Sequence, residues 1–231
     1  MKYRLKIWQD ENADCPFLNW DCEPSVSWDF YNEIQGNHER IIEEINSKLT
    51  EGIVKRHSKK ILEIMDLCCE DYTYTEKVDE IFWQLPHLKL TQYAQLCELL
   101  KIPNYLHSSR GYCQGDYSNV LIVLTDDDIK RVGFNAKEWL KDSKYFLSTA
   151  KLFDNWAWGD TYGFTIEVLK RYTKIYEDGT TKDSSEWEEI DSCGGFYGYD
   201  VEKNGILEHI PTEYNITIDE IMSKGFQAVF I

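Results

Sequence analysis

The feature that most constrains the fold is a pair of long segments flanking one turn. "TYGFTIEVLKRYTKIY" and "SEWEEIDSCGGFYGYD" are rich in β-branched and aromatic residues, and the "EDGTTKDS" between them supplies the Asp, Gly and Ser that turns demand. The pattern predicts a long antiparallel hairpin. Its second half ends in "DSCGGFYGYD", Asp191 to Asp200, where Gly194, Gly195 and Gly198 permit positive φ or close backbone approach and Phe196 and Tyr197 suit the covering of a sheet.

Other segments extend the sheet. Residues Lys2 to Gln9 alternate, with Tyr3, Leu5 and Ile7 on one side and Lys2, Arg4 and Lys6 on the other, the mark of a half-buried strand. The run Val120 to Leu124 reads as a strand buried on both faces, and "FQAVFI" as a closing strand after a capped helix, "TIDEIMSKG". The stretch "DENADCPFLNWDCEPSVSWDF" carries two prolines and many Asp and Asn breakers and reads as a loop that Trp20 and Trp28 pin to the body.

Between His38 and Lys101 the texture turns helical. "HERIIEEINSKL" sets Ile41, Ile42, Ile45 and Leu49 on one stripe, and the segment from Val54 to Cys68 repeats the pattern. "TEKVDEIFWQL" and "LTQYAQLCELLK" follow, each opened by a threonine suited to capping. Thr125 with three aspartates starts a further helix, and "AKEWLKDSKYFLSTAKLFDNW" makes another. The expected architecture is α+β, a mostly antiparallel sheet with helices on one side. Residues 1–37 and 104–231 form the core domain and 38–103 an inserted helical module.

With 231 residues, 42% of them hydrophobic, the chain can bury a core without metal or disulfide staples. No run approaches the roughly 18 apolar residues a membrane helix needs, and the charged start "MKYRLKIWQDEN" lacks the apolar region of a secretory signal. The seven cysteines, at 15, 22, 68, 69, 97, 113 and 193, are odd in number and form no CxxC pair. The expectation is a soluble protein of a reducing cytoplasm, with no membrane association and no cofactor.

The formal net charge of −16 is concentrated. Trp8 to Glu39 sums to −8, Tyr176 to Glu220 to −11, and the rest of the chain to +3. Such a field repels phosphate and attracts basic surfaces, which argues against direct nucleic-acid binding and for a basic protein partner. The acids and aromatics assigned to that partner are Asp10, Glu11, Asp14, Trp20, Asp21, Glu23 and Trp28 in the first segment. In the second they are Asp183, Glu186, Trp187, Glu188 and Glu189. The plain structural reading of both runs is a solvated face.

No phosphate-binding glycine loop, GxSxG, HExxH or paired-cysteine zinc site is present, which removes the commonest enzyme classes. Three Gly- and aromatic-rich clusters remain, "HSSRGYCQGD", "WGDTYGF" and "DSCGGFYG". His107, Cys113 and Asp116 are the residue types a thiol nucleophile and its base need, although a cysteine beside a buried strand also reads as packing. Asp116 and Asp160, each following a glycine, read first as acceptors of turn amides. If their loops converge, Asp116, Asp160 and Asp191 supply the oxygens a divalent cation takes. Cys193 completes the set of candidate catalytic residues.

The blocks "LKIWQDENADCP", "HSS" with a later Cys and "GD", "GDTYGF" and "DSCGGFYG" resemble those of a poorly characterised family of proteins from bacteriophages and other bacterial mobile elements. In that family the corresponding blocks read "DEDAESP", "HSG" with "CPWDSGQVG", "GDVYGF" and "DSCWGFYG". Here Gly194 stands at the family's tryptophan and "CQGDYSNV" replaces its middle block. The matching polar positions are His107, Cys113, Asp116, Asp160, Asp191 and Cys193. The resemblance implies a phage or plasmid accessory product acting in a bacterial cytoplasm. With the charge pattern it leads to the expectation of an inhibitor of a host defence nuclease, CRISPR or restriction, that mimics nucleic acid. The alternatives are a small hydrolase or nucleotide-modifying enzyme built on the Asp, Cys and His loops, and a non-catalytic phage accessory binder.

Overall fold

The computed structural model describes residues 2–17, 24–30, 33–68, 71–108, 119–132, 143–214 and 229–230. In chain order the first elements are strands β1 (Tyr3–Gln9), β2 (Ser25–Phe30) and β3 (Glu33–Gly36), then helices α1 (His38–Lys48), α2 (Glu51–Ile64), α3 (Tyr74–Gln84) and α4 (Leu90–Leu100). Strands β4 (Asn104–Ser108) and β5 (Asn119–Val123) precede helices α5 (Asp126–Val132) and α6 (Ser143–Ala157). Strands β6 (Thr161–Ile175) and β7 (Thr181–Tyr197), the short helix α7 (Ile206–His209) and strand β8 (Val229–Phe230) close the chain. The α+β class is as the sequence implies. The strands, however, fall into two antiparallel four-stranded sheets, β7-β6-β1-β8 and β3-β2-β5-β4.

The chain divides into two compact units, Met1–Asp14 with Trp158–Ile231, and Cys15–Ala157. The helical stretch 38–103 is not a module of its own: α1 to α4 share one apolar cluster with Leu121 and Val123 of β5. An amphipathic helix has to bury its stripe, and here the sheet of the second unit supplies the other wall.

In that second unit, helices cover both faces of the sheet rather than one. Leu121 and Val123 face α1 to α4, whereas Trp28, which pairs with Val120 across the strands, packs on Phe153 and Trp156 of α6 at ring distances of 6.0 and 6.2 Å. Val120 to Leu124 are buried, as expected of a strand enclosed on two sides.

The expected loop 10–30 contains β2. Its sequence SVSWDF alternates polar and apolar residues, yet Ser25, Val26, Ser27 and Trp28 are all buried, so this part of the strand is enclosed on both faces. Ser25 is tolerated because its Oγ donates to Asp128 at 3.0 Å. Asp128, fully buried, also accepts from Arg40 of α1 at 2.6 Å and from the Thr125 amide at 3.0 Å, while Thr125 Oγ1 accepts from the Asp128 amide at 3.1 Å. The "TDDD" start is thus a reciprocal cap on α5, and one carboxylate ties β2, α1 and α5 together.

The cap of α3 is Thr73, with the reciprocal Glu76 bond, rather than the Thr75 that opens the sequence pattern. Helix α4 begins at Leu90 after Lys89, whose amide donates to Gln92 at 2.9 Å, so Thr91 lies inside the helix.

The first unit is built on the expected hairpin. Tyr162, Phe164, Ile166 and Val168 alternate inward beside Leu5 and Ile7 of β1, and Phe196, Val201, Ile206 and Ile210 close that small core. From Lys170 onward β6 and β7 have no further strand partner among the described residues, and the hairpin continues as a two-stranded arm to the turn after Ile175. Gly179, at φ +80°, makes that turn, and Asp178 accepts from Thr180 within it. The final-strand expectation holds at β8, where Val229 pairs with Leu5. The expected helix "TIDEIMSKG" lies outside the described residues.

Candidate functional site

The glycines of "DSCGGFYG" divide into two roles. The register of β6 against β7 slips between Tyr162–Phe196 and Phe164–Cys193, so Gly163 stands opposite a bulge made by Gly194 and Gly195. Gly195 carries the bulge at φ +82° and Gly198, at φ +108°, turns the chain out of the strand.

Gly163 and Gly194 instead make room for Trp8. A Cβ on Gly163 would stand 2.6 Å from the indole Cη2, and one on Gly194 would stand 3.3 Å from the same atom and 3.4 Å from the Asp10 carboxylate. The indole lies across the bulge, 37% exposed, and donates from Nε1 to Thr165 Oγ1 at 3.0 Å. Trp8 was not singled out by its sequence motif, although one signal exists. It is the apolar member of the otherwise basic face Lys2, Arg4, Lys6 of an alternating strand.

The same face carries a charged row. Arg4 and Lys6 both pair with Glu167, the latter at 2.9 Å, and the Arg4 guanidinium lies 4.4 Å over the Trp187 ring. The two bases hold the Glu167 carboxyl below its usual range, the Arg4 hydrogen bond contributing most.

At this end of the unit, the backbone of the first acidic segment is bonded to the start of β6 and the end of β7. The Asp10 amide donates to Thr161 O at 2.7 Å, the Tyr197 hydroxyl to Asp14 O at 3.1 Å, and the Gly198 amide to Asp160 O at 2.6 Å. Asp10, Glu11 and Asp14 therefore lie beside the exit of β7, which leads on to Asp200 and Glu202. Burial pushes the Asp160 carboxyl up, against the hydrogen bond from Tyr162. It also pushes up the Tyr162 hydroxyl, with Asp160 adding to the effect.

Along β7, Asp183, Glu186, Glu188 and Glu189 are exposed. Sequence tallying missed that β6 lays bases beside them. Lys170 pairs with Glu188, Tyr172 donates to Glu186 at 3.1 Å and Thr173 to Asp183 at 2.9 Å. From Leu169 to Glu189 the arm holds six acids and four bases, so its acidity is a property of the β7 strand rather than of the arm as a whole. A shallow hollow of about 520 Å³ beside Arg171, Thr173, Asp183 and Ser185 lies on the arm.

Several assignments change. Trp28, expected as an exposed anchor, is 1% exposed because it fills the aromatic cluster against α6, and it offers nothing to a partner. Trp187 is half-buried against Arg4. The first acidic segment is divided, with Asp10, Glu11 and Asp14 in one unit and Asp29, Glu33 and Glu39 in the other. Trp20, Asp21, Glu23, Cys113 and Asp116 lie outside the described residues.

Of the candidate catalytic set, Asp160, Asp191 and Cys193 belong to the first unit and His107 to the second. Cys193 is half-buried against the small core, its thiol directed at its neighbour's carbonyl, Gly194 O, 3.8 Å away. Asp191 is exposed and sits close enough to Tyr214 to help raise its hydroxyl, behind the larger effects of burial and Glu213. His107 on β4 meets Asp154 of α6 at 2.9 Å and stacks on Tyr105. Among the described residues no three His, Cys, Asp or Glu side chains gather in the way a metal ion needs. None of the helices described there is long and apolar enough to cross a membrane.

No family model, curated protein or solved structure matches this chain.

Proposed function

We propose that this chain is a non-catalytic binding protein, an accessory product of a phage or other mobile element. In this reading it inhibits a host defence nuclease by docking its carboxylates on the enzyme's basic nucleic-acid-binding surface. The observation that carries the reading is that Asp10, Glu11 and Asp14 of the first acidic segment share a unit with the described acids of the second. Backbone bonds at Asp10 and Asp14 hold that stretch beside the start of β6 and the end of β7, and the exposed acids of β7 run from Asp183 to Asp191. Carboxylates presented along a strand steer toward a cationic surface, and the attraction weakens as salt rises. Tyr199, 73% exposed next to Asp200, supplies an aromatic anchor at the same end.

The test is capture of purified CRISPR effectors and restriction nucleases on the immobilised chain. Binding at low salt that falls steeply with ionic strength and competes with DNA supports the reading. An empty capture across the panel at low salt removes it.

A second reading, a small hydrolase, is favoured by one observation: Asp154 orients His107 as a carboxylate orients a general base. Turnover of ester or nucleotide substrates that is lost in His107→Gln would move the assignment to an enzyme.

A further inference from the structure

The arm carries two open strand edges, and they differ in charge. β7 has β6 as its one neighbour among the described residues, and the register between them runs without a slip from Glu167–Glu189 to Ile175–Thr181. Over this stretch the side chains of Thr181, Lys182, Asp183, Ser185, Glu186, Glu188 and Glu189 are exposed, and no strand among the described residues pairs with the outer edge. Strand pairing places Glu186 and Glu188 on the face of Lys170 and Val168, and Asp183 and Glu189 on the face of Thr173 and Glu167. Carboxylates therefore flank the β7 edge above and below the sheet. The opposite edge, β6 from Lys170 to Ile175, carries Lys170, Arg171 and Lys174.

A two-stranded ribbon is only marginally stable in water, and a third strand is the least addition that changes this. An open regular edge also offers main-chain donors and acceptors to any extended segment.

We propose that the β7 edge, Thr181–Glu189, receives an extended Lys- and Arg-rich segment of a partner protein by strand addition. Cross-strand neighbours lie about 5 Å apart, so lysines on either face of the added strand meet Glu186 and Glu188 or Asp183 and Glu189. A second copy of β7 laid parallel and in register would set carboxylate against carboxylate on both faces, so a basic segment suits this edge better than another acidic one. The basic β6 edge repels the same segment, so the choice of edge follows from charge. The inference rests on the acidic-docking reading and adds to it the mode of engagement.

The experiment uses the full chain and a blocked Lys- and Thr-rich peptide long enough to span Thr181–Glu189. A second peptide of the same sequence is N-methylated at alternate residues, which keeps its charge and deletes the hydrogen bonds of one edge. The expected result is binding of the first peptide with slowed amide exchange confined to 181–189, and at least about tenfold weaker binding of the second. Equal affinity of the two peptides, or protection elsewhere, overturns strand addition while leaving acidic docking in place. No binding of either peptide at low salt overturns both. Glu186→Gln with Glu188→Gln is the protein-side control. It is expected to weaken the first peptide without changing the circular-dichroism spectrum, and unchanged affinity would count against this edge.

Discussion

Replacing Gly163 by alanine places a methyl group inside the space held by Trp8. The added carbon would stand 2.6 Å from Cη2 and 2.8 Å from Cε2 of the indole, which is closer than carbon atoms approach in packed proteins. The indole must lift, giving up its contact with the bulge and its 3.0 Å bond to Thr165. Overpacking of this kind costs about 1–3 kcal/mol, and the lost hydrogen bond about 1 kcal/mol more, so the expected destabilisation is about 2–4 kcal/mol. Urea unfolding read by circular dichroism measures it, with the slope compared to confirm that the native state stays compact. Trp8→Ala alone removes the packing of a side chain that is 37% exposed, an expected loss of about 2 kcal/mol. In the double variant the clash is gone, so the two losses should fall short of additivity by at least about 1 kcal/mol. A neutral Gly163→Ala, or two losses that add, would refute the claim that these glycines exist to seat the indole.

Three further outcomes are expected. Arg40→Ala removes the 2.6 Å ion pair that Arg40 makes with the buried Asp128 and should destabilise the second unit by about 3 kcal/mol, and less when Asp128→Asn is already present, measured by thermal unfolding of the single and double variants. Asp160 has its folded pKa raised by burial, so its contribution to stability is present below the unfolded carboxyl pKa and lost as pH rises through the folded one. Asp160→Asn should therefore raise the unfolding midpoint at neutral pH, with the gain vanishing in acid. Lys101 ends α4 at φ +59°, a conformation that favours glycine, and Lys101→Gly should stabilise by about 0.5–1 kcal/mol in the same assay, where a loss would count against the left-handed cap.

What was legible in the sequence follows from periodicity. β1, the inner half of β6 and the stripes of α1 and α2 were readable because each buries one side and leaves the other in water, and the outer hairpin because an Asp-Gly turn joins two β-rich runs. β2 was not, because its six residues follow two prolines and a run of Asp and Asn breakers, and the buried Asp128 that accepts from Ser25 lies far along the chain. Trp28 does pin this segment to the body, as expected, but it is closed to a partner because Phe153 and Trp156, distant in sequence, cover it. The charge tally located the acids but not their neighbours. Lys170 beside Glu188 is a consequence of strand register, which composition does not carry. The glycines of "DSCGGFYG" were correctly assigned to turning and close approach, yet the residue they accommodate, Trp8, lies at the other end of the chain.

The most direct test of the acidic-docking account is the plating efficiency of a phage on hosts carrying CRISPR or restriction systems. Plating is compared with the wild-type gene, with no gene, and with a folded variant carrying Asp183→Asn, Glu186→Gln, Glu188→Gln and Glu189→Gln. The account predicts that the wild-type gene restores plating on at least one defended host and that the amide variant does not. Plating that the wild-type gene leaves unchanged on every defended host, or that both versions restore equally, would contradict it.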